Sequence, residues 1–312
     1  MKVKGYKKTG ILLGLLSSAA FGFIPFFSIP LMENGMGKPS IMFYRFLFSI
    51  VFMTPIFIID AIRRGDLKCS IHLKSKNTGK FVFILICTGI FFAITSLCLI
   101  ESYSYIPSGV TITIHFLYPV LVAAIMMYIF KDKNSRYLFP VTLLSFIGVS
   151  LLCWTYEGNL NLLGIVFSLI TVVTYALYFV GIEMLSFIPP LVLTFCILFV
   201  GVIVFGIYAI STTGIESINS SMEWTNLIVL ALFLTVASDY FLILAIKYVD
   251  PTIISILGVM EPAVAYVMGI LALNDFFSVL GATGLMLVLI SVVIAIKLTS
   301  KSKKSIYIKF LK

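Results

Sequence analysis

The chain has 312 residues, of which 61% are hydrophobic and 11% charged, and its mean hydropathy is +1.14. That composition excludes an ordinary water-soluble domain, because so few charges cannot cover so much apolar surface. The net charge of +9 does not mark a nucleic-acid binder either, since the basic residues gather in short loops and at the two ends instead of along one amphipathic face.

About 20 mostly apolar residues are needed to cross a bilayer as a helix. In chain order the segments that meet this are 9–31, 41–62, 80–100, 108–130, 137–154, 161–182, 188–210, 226–246, 252–273 and 276–297. Four lysines precede the first of them, and SSAA at 17–20 resembles a leader-peptidase site. The apolar run nevertheless continues through Phe27 to Leu31, so it reads as a first span and not as a cleaved signal. A lysine-rich tail, 301–312, closes the chain. With the N-terminus inside, 20 of the 22 Lys and Arg residues fall on the inner side, leaving Lys38 and Arg45 toward the outside. This bias sets the expected direction, with both termini cytoplasmic.

The five cysteines form no framework: Cys87, Cys98, Cys153 and Cys196 lie in apolar runs and Cys69 in a basic loop. No CxxC or Cys/His pair at metal spacing occurs, so packing is the expected role. Walker A, HExxH, GxSxG and GxGxxG signatures are also missing. The chain is read as no enzyme, with no cofactor and no metal. Without a P-loop, any transport is facilitated or coupled to an ion gradient.

The second half repeats the first. An offset of 143 carries Tyr105 onto Tyr248, Pro119 onto Pro262 and Asp132 onto Asp275. An offset of 154 places Gly10, Gly14, Ser18 and Gly22 on Gly164, Ser168, Val172 and Ala176. Five spans per copy turn the second copy upside down. The expected fold is an all-α membrane protein of ten transmembrane helices in two inverted five-helix repeats, 1–154 and 155–300, followed by the tail. Such repeats build one midplane site that opens to either side.

Four features together resemble the drug/metabolite transporter superfamily, in its EamA-type ten-helix members. They are Arg45 in FYRFLF, the pattern YIPSG…LYPVLVA, its later partner KYVDPTIISILGVMEPAVAYVMG, and an acid after spans four and nine (Asp132, Asp275) followed by Gly281 and Gly284. The family usually has glutamate at those two acid positions. The resemblance covers essentially the whole chain and implies transport of a small metabolite.

Polar groups deep in the bilayer are the natural site candidates, because an ionised one costs about 2.5–3.5 kcal/mol even on a lenient scale. Asp239 and Glu261 lie roughly 10 and 14 Å from the inner side at the helical rise. They are read as substrate-binding and proton-coupling candidates, since close like charges favour sharing a proton; Glu261 has a plainer reading as part of a kink. His115 and Tyr118 share one face of span four. Pro119 and Pro262 free matched carbonyls, on His115 and Gly258, and serve as helix hinges. A simple bend is the alternative for both. Tyr175 and Tyr178 are expected to line the cavity, and Tyr240 beside Asp239 less directly, through faces that suit a cation or flat ring. Arg45 is expected to snorkel to the interface, pair with Glu33 or Glu101, or clamp a carboxylate, anchoring being favoured. The small-residue stripe from Gly10 to Gly22 reads as close helix packing.

The expected function is alternating-access transport of a small polar metabolite, an amino acid or related compound, with export favoured, around a cavity lined by spans three, four, six, eight and nine. Uptake of a choline-like organic cation is a second reading, and a non-transporting membrane sensor or assembly protein a third. Expected partners are the metabolite and membrane lipid, not nucleic acid; a homodimer is left open.

Overall fold

A computed structural model of the chain describes residues 7–63, 78–106, 108–152, 161–212, 214–272 and 279–298. All regular structure among these residues is helical. The first span is α1 (Lys7–Gly22) and α2 (Ile24–Glu33), interrupted at Phe23 just before Pro25. The second and third spans are α3 (Lys38–Arg63) and α4 (Thr78–Ser102). The fourth is split into α5 (Ser108–His115) and α6 (Tyr118–Tyr128), and the fifth is α7 (Lys133–Leu152). Span six is α8 (Leu162–Met184), begun by an Asn161 side chain that accepts from the Leu163 N–H, and span seven is α9 (Pro190–Ser211).

Span eight starts with α10 (Ser221–Ala231), capped reciprocally by Ser220 and Glu223. It then passes through a π-helical turn, Leu232–Ala237, into α11 (Ser238–Tyr248). Span nine is broken into α12 (Pro251–Leu257) and α13 (Met260–Ala272), and span ten is α14 (Val279–Leu298). Among the described residues, nine helical stretches are long and apolar enough to cross a membrane. The tenth crossing is α7, which opens on the polar sequence KNSR.

Packing repeats as the sequence repeats. The first span packs on α11 and on both halves of span nine; the sixth, its counterpart, packs on α4 and on both halves of span four. Spans two and seven pair with each other, as do five and ten. The correspondence reaches single residues. A Cβ added to Gly10 would lie 2.8 Å from Tyr248 Cβ and 2.7 Å from a Val249 methyl. One added to Gly164 would lie 2.9 Å from Tyr105 Cβ and 2.8 Å from an Ile106 methyl. Both members of each contact are related by the two sequence offsets.

The first contact lies at the end of the bundle where α1 begins (the near end), and the second at the opposite, far end. Equivalent contacts at opposite ends are the signature of inversion. The near end also joins Asn134 to Asp250 and Ser135 to Thr252. The far end joins Tyr208 to Glu101, Lys38 to Ser104 and the Gly37 N–H to Glu216.

Because both glycines admit backbone approach that a methyl would prevent, Gly10→Val and Gly164→Val are each expected to lower stability by about 1–3 kcal/mol. Gly79→Ala, whose added methyl meets nothing within 4 Å, is expected to leave stability unchanged. Thermal unfolding of the detergent-purified variants checks all three.

Candidate functional site

Where the repeats meet, charged and aromatic side chains converge from five spans. Asp239, the second residue of α11, is fully buried; its Oδ1 accepts from the Tyr178 hydroxyl at 2.6 Å, while Oδ2 has no hydrogen-bond partner among the described residues. A buried carboxylate oxygen without a donor is costly, so its retention at this depth marks a functional candidate.

Arg45 reaches the same region from α3. It is 6% exposed and donates from Nε to Thr235 Oγ1 at 2.5 Å and from Nη2 to the Leu234 carbonyl at 3.5 Å. It interacts electrostatically with Asp239, Glu261 and Tyr175. The guanidinium is therefore neither an interfacial anchor nor a partner of Glu33 or Glu101. Glu101 takes the Tyr208 hydroxyl instead, and Glu33 is exposed. The sequence reading placed Arg45 near the interface because it lies early in its span; α3 in fact carries it onto the π-helical turn.

Glu261 sits in the first turn of α13, where the helix N-terminus favours a negative charge. It is half-buried and hydrogen-bonds no described residue through its carboxylate. One guanidinium thus interacts with two acids.

The aromatic wall comes from spans four and six. Tyr175 and Tyr178 stack at 5.7 Å and 18°, and Tyr178 also stacks on Phe92 at 4.8 Å and 28°. The His115 ring lies 5.2 Å from Tyr118 and 5.1 Å from Tyr175. Thr171 gives its one hydroxyl proton to the Ser168 carbonyl at 2.6 Å, so it accepts from His115 at 2.8 Å. Nδ1 of His115 therefore carries a proton.

The two broken spans touch. Val259 N–H turns to the Ile256 carbonyl, and the Ser255 carbonyl takes the Tyr118 hydroxyl at 3.3 Å. That hydroxyl stands where Gly258 lacks a side chain: a Cβ there would be 2.0 Å from it. Proline alone does not break these helices, since Pro55 and Pro140 lie inside continuous ones. The breaks at 116–117 and 258–259 occur where Tyr118 docks into Gly258.

Of the sequence-predicted residues, the structure brings together Asp239, Glu261, Tyr175, Tyr178, His115 and Tyr118. Pro119 and Pro262 follow the breaks as expected. The Tyr240 ring lies 6.2 Å from that of Phe241, and the phenol that Asp239 accepts from is that of Tyr178. Thr235 and Gly258 were not singled out as polar or contact residues; the alignment of Gly258 with His115 was the available signal for the latter. Asp275, Cys69 and Cys153 lie outside the described residues.

The EamA-like transporter family profile matches residues 8–154 and again 162–297. This chain belongs to that family. Its members are membrane transporters, which makes this a multi-pass membrane transport protein of two repeats. Among 27 solved chains that match, one titled only "Crystal structure of protein" superimposes with a TM-score of 0.73. The match covers 93% of this chain and 96% of the other at 14% identity, a likeness that shows the fold alone. Comparison with curated proteins gives no match.

For this EamA-like protein the docking of Tyr118 into Gly258 is directly testable. Gly258→Ala is expected to cost about 1–3 kcal/mol as an overpacked contact, and markedly less in a Tyr118→Phe background, where the colliding oxygen is gone. A double-mutant cycle of unfolding midpoints reads the difference.

Proposed function

We propose that this protein carries a small polar metabolite, an amino acid or related compound, out across the cytoplasmic membrane by alternating access, with proton coupling. The observation that carries the reading is the buried acidic centre. Among the described residues, one Asp239 carboxylate oxygen has no donor and Arg45 is the guanidinium that interacts with both acids. The uncompensated charge suits either a proton or the amino group of a substrate. Exchange of one for the other couples two fluxes. Tyr175, Tyr178, Tyr118 and His115 supply apolar faces with hydroxyl and imidazole edges, a lining suited to a small polar solute.

Near-end and far-end contacts act as the two gates in this reading. The excess of Lys and Arg supports a cytoplasmic position for the near end, and with it both termini, in this reading. Parallel stacking of Tyr175 and Tyr178 beside Asp239 also favours a second reading, in which the substrate is a choline-like cation held by ring faces and taken up.

The test is flux in proteoliposomes with a panel of radiolabelled amino acids and choline, under an imposed pH gradient. Wild type is expected to move at least one amino acid with the gradient. Asp239→Asn is expected to lower gradient-driven flux by about tenfold or more, equal to roughly 1.4 kcal/mol or more of lost coupling. Amino-acid flux that is indifferent to the gradient and to this substitution contradicts the proposal. Gradient-driven choline uptake with no amino-acid movement supports the second reading.

A further inference from the structure

Span eight contains a π-helical turn immediately before Asp239. A π turn inserts one residue relative to α geometry and weakens the local hydrogen-bond ladder. Here side-chain donors gather on the carbonyls around it. Thr235 Oγ1 bonds the Leu230 carbonyl at 2.7 Å, and Arg45 Nη2 bonds that of Leu234. Ser17, from the first span, bonds the Ser238 carbonyl at 2.7 Å. Ser49, one turn along α3 from Arg45, approaches the Ala231 carbonyl at 3.2 Å while bonding the Arg45 carbonyl at 2.7 Å. Thr235 spends its only proton on Leu230, so it is an acceptor toward Arg45.

The repeat supplies an internal control. The offset of 143 maps the π turn onto residues 89–94 of α4, which is continuous α-helix. Asp239 maps onto Ser96 and Glu261 onto Tyr118, and α9, the counterpart of α3, contains no charged residue. The symmetry-related arrangement, span seven against spans three and four, thus lacks the acids, the guanidinium and the π turn alike. These features occur together or not at all.

We propose that Arg45 is the positioning residue of the acidic centre: seated on the π turn through Thr235 and Leu234, it holds the turn in that geometry and thereby fixes Asp239 against Tyr178. Relaxation to regular α-helix removes one residue from the turn and rotates one side of span eight against the other by about 100°. Asp239 and the donors that hold the turn then lose their present alignment. The same guanidinium interacts electrostatically with Asp239 and Glu261, so neutralising the acids weakens the charge that draws it inward. Charge at the site and helix shape in span eight are thereby linked. This inference does not depend on which solute is carried, or on whether the protein transports one of those tested above.

The test combines amide hydrogen exchange with infrared spectroscopy on the full-length protein in detergent. Arg45→Met is expected to speed exchange of residues 232–239 about tenfold or more while leaving α9 as in wild type. Thr235→Val removes the acceptor of Nε without touching any charge and is expected to act in the same direction. Arg45→Lys keeps the charge but loses the two-point fork, and is expected not to restore protection. Where Arg45→Met fails to fold, the Thr235→Val and Arg45→Lys variants carry the test. The Asp239 carboxyl band, assigned by its loss in Asp239→Asn, is expected to shift in Thr235→Val as it does in Tyr178→Phe. Wild-type exchange at 232–239 in Thr235→Val and Arg45→Lys, or an unshifted band in Thr235→Val, overturns the proposal. So does faster exchange spread evenly over all helices, which marks general destabilisation.

Discussion

Inside a bilayer every backbone polar group and every charge must be satisfied by the protein itself. The architecture of this chain follows from that constraint. Where the helices run regularly, the backbone satisfies itself and side chains need only pack. Where they do not, donors arrive from neighbours: Tyr118 serves the Ser255 carbonyl, and Arg45 and Ser17 serve carbonyls of span eight. Each irregularity therefore sits at a contact between the two repeats or between spans flanking the centre. It is there that one carboxyl oxygen of Asp239 has no donor among the described residues.

The two copies are alike in scaffold and unlike in chemistry. Glycine contacts at Gly10 and Gly164 recur at opposite ends with equivalent partners. Broken spans four and nine occupy equivalent places and interlock there, the Tyr118 hydroxyl of one filling the space beside Gly258 of the other. Charge is confined to one copy of each related pair: Asp239 against Ser96, and Glu261 against Tyr118. In the proposed alternating-access reading, the symmetric frame opens toward either side at similar cost while the chemistry of the centre stays asymmetric.

Much of the fold was legible in the sequence because span length, lysine and arginine placement and internal repetition are one-dimensional signals. The ten spans agree closely with the observed helices, and the breaks at spans four and nine were announced by prolines in register. The centre was legible in part. Asp239, Glu261, Tyr175, Tyr178, His115 and Tyr118 stood out as polar or aromatic residues at depth, but their contacts depend on helix rotation, which periodicity in uniformly apolar segments does not define. Arg45 was misplaced for that reason. The break at Phe23 has its sequence signal in Pro25, in the first turn of α2. The π turn in LFLTVA had none, because its donors come from residues nearly 190 positions earlier.

Inversion of the repeats is the claim on which the remaining conclusions stand, and accessibility from one side of the membrane tests it most directly. Ser104 and Lys247 are equivalent under the offset of 143 and lie at opposite ends of the bundle. In a background freed of the five native cysteines, single cysteines at these positions are probed in intact cells with a membrane-impermeant maleimide. The account predicts labelling at 104 and none at 247 until the membrane is opened. Labelling of both positions from the same side would contradict it.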